Sequence, residues 1–180
     1  MKRLLFTIAM GLLILGSATQ TKAIERKGFV IGFGGGLSFI FASDIPSNLA
    51  VAGQWYLGMM VSPKTALLLG ACGKGYTNGT GASFMLLDLM LRFFLYDKIW
   101  FEVGLGPAGE ESYYNLHPFT GNVQIGGGFT AAAGYELIQG RTFALDFQSR
   151  FLFGILPSHS SGVPTNNHIS LDIGIGLTWY

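Results

Sequence analysis

His168, Ser170 and Asp172 come nearest, among the residues of this chain, to a nucleophilic constellation. A serine attacks only when a base within hydrogen-bond reach takes its proton and a further group orients that base. Residues two apart on a strand share a face but stand about 7 Å apart. His168 and Ser170 are therefore expected to miss direct contact and to act as polar interior residues, leaving no catalytic residue in the chain. His117 and His159 stand alone without metal-ligand spacing. The single Cys72 excludes an internal disulfide and a cysteine-built zinc site. Gly34-Gly35-Gly36 and Gly126-Gly127-Gly128 lack the helix that a phosphate-binding loop needs. Asn78-Gly79-Thr80 reads as turn chemistry. Neither a metal nor a cofactor is expected.

The remaining polar residues must be placed by the elements that carry them. Charged residues make up only 12% of the 180 positions, against 49% hydrophobic and 27 glycines, a balance that excludes disorder. A formal charge of +1 supplies no basic field for nucleic acid. The hydrophobic period is two rather than 3.6. In the first segment Phe29, Ile31, Phe33, Leu37 and Phe39 alternate with Gly32, Gly34, Gly36 and Ser38. The same rhythm predicts strands over 27–40, 49–61, 66–76, 83–95, 99–106, 122–137, 142–156 and 168–179.

Lys74, Asp88, Arg92, Glu102, Glu136, Asp146, Arg150 and Asp172 all fall on the face opposite the bulky apolar residues. If the eight segments close into a ring, the bulky faces point outward and only lipid tolerates them. The expected fold is thus all-β: a transmembrane, antiparallel, up-and-down eight-stranded barrel, with an interior charge network of those eight residues. Five acids against three bases in that set would make any leak prefer cations.

Residues 1–23 read as a secretory signal peptide: Lys2 and Arg3, an apolar run from Leu4 to Leu15, then small and polar residues up to Ala23. The barrel domain is expected over 24–180. Removing Lys2, Arg3 and Lys22 from the 11 basic residues leaves 8 against 10 acidic ones. Connections at 62–64, 96–98 and 138–140 are short, and those at 42–48, 77–82, 107–121 and 157–167 are looser. This asymmetry places both termini on the short-turn, periplasmic side. Tyr96, Trp100, Trp179 and Tyr180 gather there as an expected interfacial girdle.

The strand rhythm, the leader and the final strand, from Ile169 to Trp179 and Tyr180, resemble the small OmpA/OmpX-type outer-membrane barrel superfamily. The resemblance covers nearly all of the chain beyond the leader. It implies an integral outer-membrane location, contact with outer-membrane lipid, and a C-terminal strand recognised by the barrel-assembly machinery. Here the apolar series ends at Trp179, one residue before the terminus, which departs from the usual phase. Outer-membrane lipid A deacylases of similar size also carry a His-x-Ser pair, but on a lipid-facing surface.

Two pairings follow from the strands. The short turn at 96–98 sets Arg92 opposite Glu102, and a longer loop sets Arg150 opposite Asp172. In the 107–121 loop, Glu110, Glu111, Tyr113 and Tyr114 are candidates for contact with an unidentified extracellular ligand. The expected function is non-enzymatic, structural or surface-interacting, with a side-chain-filled interior. A narrow cation-preferring, porin-like channel is the alternative, and a lipid A-modifying hydrolase stands behind both.

Overall fold

A computed structural model describes residues 26–42, 49–76, 83–112, 122–156 and 166–180. The expected signal peptide at 1–23 lies outside these residues, as do Asn78, Gly79, Tyr113, Tyr114, His117 and His159. The chain forms β1 (Phe29–Ala42), β2 (Leu49–Ser62), β3 (Thr65–Tyr76), β4 (Ser83–Phe94), β5 (Ile99–Ser112), β6 (Asn122–Gln139), β7 (Phe143–Leu156) and β8 (Asn166–Trp179). Each strand pairs antiparallel with its sequence neighbour, and β1 pairs with β8, closing the ring.

Alternation decides which way each side chain points. Phe33, Leu69, Leu89, Phe147 and Ile175 are each about half exposed on the outside, while Val30, Leu68, Met90 and Leu152 are buried within. The outside forms a continuous apolar belt of a size that a soluble monomer does not carry.

Three features depart from the simple rhythm. β5 runs to Ser112 instead of ending near Gly106. Pro107 lacks an N–H, and the β4–β5 ladder skips the pairs between Leu86–Ala108 and Leu89–Leu105 while keeping its register. A bulge between Glu136 and Ile138 turns both Leu137 and Ile138 outward. The interior is also less polar than the sequence suggests. Phe84, Leu86, Leu152 and Leu156 pack with Cys72 and Ala108 into an apolar cluster inside the loop end.

The short turns lash one end together. Phe94 N–H donates to Lys64 O at 2.9 Å, Glu136 N–H to Lys98 O at 2.8 Å, and Tyr180 N–H to Thr142 O at 2.9 Å. Gly28, with φ at +80°, sits in the left-handed region open to glycine, just before β1. Residues 26–27 precede it, and the Arg26 guanidinium lies 4.2 Å above the Phe94 ring. On the inner side of the closing joint, Gly32, Gly34 and Gly36 of β1 face Thr178, Gly176 and Gly174 of β8.

Candidate functional site

The inward polar residues form three tiers along the lumen. The middle tier follows one rung of the ladder, Ala66–Arg92–Glu102–Ala132–Arg150–Asp172. Arg92 Nε donates to Glu102 Oε2 at 2.9 Å. Arg150 NH2 donates to the other oxygen, Oε1, at 2.6 Å. Both bonds are charge-assisted, and one carboxylate serves two guanidiniums. Arg150 also lies 3.9 Å from Asp88, which accepts from Thr130 Oγ1 at 2.9 Å. The predicted Arg92–Glu102 pairing is present. Arg150 and Asp172 face one another in the ladder, but their side chains part: Arg150 reaches over Ala132 to Glu102.

Aromatic rings complete this tier. The Arg92 guanidinium lies 4.4 Å from the Tyr56 ring centre and 4.1 Å from that of Trp100. Its NH1 donates to Tyr56 Oη at 3.0 Å, which lies 2.5 Å from Thr178 Oγ1. The Tyr56 ring fills the place of a side chain at Gly32, and the Trp100 ring does so at Gly134. A Cβ at either glycine would lie 2.3 Å from ring carbon. Trp100 is fully buried, which corrects its assignment to the girdle. It shares the even phase of Glu102 on β5, and Gly134 across the ladder leaves room for its ring.

At the loop end, Lys74 Nζ donates to Asp172 Oδ1 at 2.6 Å, to Ser38 Oγ at 2.9 Å and to Ser170 Oγ. His168 Nε2 lies 3.2 Å from Ser170 Oγ. The expected gap between the two is therefore bridged: both side chains lean along the strand toward one another. Tyr76 Oη donates to Glu110 Oε1 at 2.7 Å and lies 3.4 Å from His168 Nδ1. The His168 ring stacks on Phe84 at 4.0 Å. Ser170 and His168 are both fully buried. Glu110 is 7% exposed and points inward, which removes it from the surface-contact set. The reason is the length of β5, which carries the even phase of Glu102 as far as 110. The Glu111 side chain lies outside the described residues.

At the short-turn end, Arg26 NH2 lies 2.6 Å from Glu136 Oε2. Gln139 Nε2 donates to the same oxygen at 2.6 Å, and Tyr180 Oη donates to Glu136 Oε1 at 2.8 Å. Tyr180 thus turns beneath the barrel, packing against Phe94 with ring centres 6.0 Å apart, and is not part of an outward girdle. It is one phase beyond Trp179, whose ring faces out, against Phe33 at 5.4 Å. Tyr96 is 72% exposed at the same end.

Lys74, Asp88, Arg92, Glu102, Glu136, Asp146 and Arg150 are buried, and Asp172 is nearly so. Asp146 Oδ1 has no hydrogen-bond partner among the described residues. A cavity of about 20 Å3 beside Gln54, Gln148, Arg150 and Asp172 has room for about one water. Among the described residues no group of three or more His, Cys, Asp or Glu could hold a metal ion. Sequence reasoning missed Arg26, Tyr56 and Tyr76 as members of the network. Phase alone places Tyr56 and Tyr76 inside; Arg26 precedes the first strand and carried no signal.

No family model matches the chain, and no curated protein matches it in sequence. Solved structures do match in shape. Neisserial surface protein A superposes with a TM-score of 0.61 at 12% identity, covering 84% of this chain and 96% of its own. Ail, the attachment invasion locus protein of Yersinia pestis, gives 0.59 at 8% identity, covering 86% of this chain and 99% of its own. Ail bound to the heparin analogue sucrose octasulfate gives 0.55 at 9% identity, with the same shares covered. At these identities the likeness is one of fold: the chain has the architecture of the small eight-stranded outer-membrane barrels.

Proposed function

We propose that this chain is an integral outer-membrane barrel that acts without catalysis, as a structural or surface-contact protein with a plugged interior. The observation that carries this reading is Arg92, held between Tyr56 and Trp100 and bonded to the Glu102 carboxylate that also holds Arg150. Eight strands enclose a space just wide enough for side chains to fill. Here rings and ion pairs occupy it at mid-height, and the Phe84, Leu86, Leu152 and Leu156 cluster occupies it above. Cations or sugars would have to displace both.

The outward apolar belt supports a lipid surround, and the leader at 1–23 supports export with removal of that segment near Ala23. The C-terminal strand, with Trp179 facing out, supports recognition of β8 by the barrel-assembly machinery. Neisserial surface protein A and the Yersinia attachment invasion locus protein are by name surface and attachment proteins, and this favours surface contact as the role. Planar-bilayer recording of the refolded protein tests the reading. A silent bilayer is the expected result. Stable, cation-selective steps would replace the plug with the channel alternative.

A further inference from the structure

The short-turn end carries a cleft of about 840 Å3, which shares only Arg26 with the luminal network. It is walled by residues 26–27, by the turn between β2 and β3 at Pro63-Lys64, by residues 94–99 around the turn between β4 and β5, and by Tyr135 of β6. Three lysines line it, Lys27, Lys64 and Lys98, against one acidic residue, Asp97. Arg26 also lines it, but its guanidinium is engaged by Glu136 at 2.6 Å and by the Asp97 carbonyl at 2.5 Å. Lys64 and Lys98 form no salt bridge among the described residues; Lys98 Nζ lies 6.0 Å from the Tyr135 ring centre.

The apolar surroundings decide which anion suits the cleft. Leu95 is 54% exposed and Tyr135 46%, both on the outward face where the belt meets the turns. Phe93 and Phe101, paired across β4 and β5, continue that exposed surface up the barrel wall. Positive charge thus lies at the edge of an apolar belt, the arrangement of a phospholipid's own phosphate and acyl chains. The cleft is far larger than a phosphate ion and has room for a glycerol headgroup. A choline or ethanolamine group would bring a further positive charge into a cleft already rich in them.

We propose that this cleft binds the phosphodiester headgroup of an anionic glycerophospholipid in the periplasmic leaflet. Lys64 and Lys98 hold the phosphate, and the acyl chains run along Leu95, Phe93 and Phe101. The proposal rests on the membrane reading above. It gives the short-turn end a fixed lipid, and so a preferred depth in the bilayer.

The test uses the full barrel refolded in zwitterionic micelles and titrated with dihexanoyl phosphatidylglycerol. Binding is read from the backbone amide shifts of residues 63–65 and 95–99. Saturating shifts confined to the short-turn end are expected. Lys64→Ala and Lys98→Ala should each weaken binding about fivefold, and the double variant about 25-fold, from the typical attraction of one lysine for an anionic surface. Lys→Arg at both positions should preserve it. Equal saturation by dihexanoyl phosphatidylcholine, or an unaffected double variant, would overturn the proposal. So would full reproduction of the shifts by inorganic phosphate, which would make the cleft a site for soluble anions. Heat-modifiable migration and partition into vesicles are measured on the same samples. Failure to partition removes the membrane reading itself, whereas a folded, membrane-inserted barrel without lipid selectivity sinks only the headgroup site.

Discussion

Arg150 faces Asp172 across the β7–β8 ladder yet turns its guanidinium to Glu102, two strands away and 2.6 Å distant. Ala132 lies between them on the same rung and is small enough to be passed over. Asp172 is left to Lys74 of β3. The central tier is therefore organised across the lumen as well as along neighbouring strands.

Glu102 is the centre of that tier, and its removal should be costly. Glu102→Ala leaves Arg92 and Arg150 facing each other without their shared carboxylate, and should destabilise the barrel by about 3–5 kcal/mol if the tier stays dry. Replacing Arg92 and Glu102 together with apolar residues of similar volume should cost less than Glu102→Ala alone, because only Arg150 then loses its carboxylate. Urea unfolding in lipid vesicles, read by tryptophan fluorescence, measures both. Equal costs for single and double variants would mean that the pair is hydrated.

Ala132→Leu tests the passage over the rung. A larger side chain fills the gap that Arg150 crosses, and overpacking of this kind costs about 1–3 kcal/mol. The expected structural result is an Arg150 redirected to Asp172, its neighbour in the ladder. If a structure of the variant still joins Arg150 to Glu102, the small residue at 132 does not govern the choice of partner.

Lipid-borne quenchers distinguish the three tryptophans. Trp55 and Trp179 are 48% and 37% exposed on the outer face, and Trp100 is fully enclosed. In vesicles of brominated lipid, a variant retaining only Trp100 should keep nearly all of its fluorescence. Variants retaining only Trp55 or only Trp179 should be quenched. Strong quenching of Trp100 would reverse the phase of β5.

Asp146 stands apart from the ion pairs. It is buried, and its Oδ1 has no hydrogen-bond partner among the described residues. Asp146→Asn removes a buried charge that forms no salt bridge among the described residues, and is expected to be neutral or stabilising by about 1 kcal/mol. A loss of several kcal/mol in the same urea experiment would show that its charge matters to the network.

Ser170 should be chemically quiet. Its contact with His168 resembles half of a hydrolase site, but Lys74 also bonds the hydroxyl and the aromatic ring of Phe84 covers the imidazole. A fluorophosphonate probe should leave the folded protein unlabelled, and lipid A masses should be the same with Ser170→Ala. Stoichiometric labelling at Ser170 would return the hydrolase reading.

The parts legible in the sequence were those set by phase and by short turns. Arg92 and Glu102 are joined by one short turn, so alternation and turn length together set them opposite. The eight strands and the outward bulk follow from the same period of two. Contacts across the lumen were not legible, because they depend on closure and on the reach of long side chains. Arg150 and Lys74 show this: the first passes Asp172 for Glu102, and the second, flanked by Ala52 and Phe84, reaches Asp172 of β8. Glu110 was misplaced for a local reason: Pro107 suggests a strand end, yet the strand continues past it on its other ladder. His168 and Ser170 meet through side-chain rotation, which spacing along the backbone cannot report.

Where β1 meets β8, the facing pairs Gly34–Gly176 and Gly36–Gly174 leave no side chain on the inner side. A Cβ on Gly36 would lie 2.1 Å from the Ile173 carbonyl oxygen, and one on Gly174 would lie 2.3 Å from that of Gly35. Along this glycine stretch the inner side of the joint is held by main-chain hydrogen bonds, and beyond it Lys74 bridges Ser38 of β1 and Asp172 of β8. This stretch is a lateral seam, with few inward side-chain contacts to form as the ring closes or to break if it opens. The first and last strands of the chain, which must find each other across its whole length, meet at mid-height along glycines that offer the inner face little to grip.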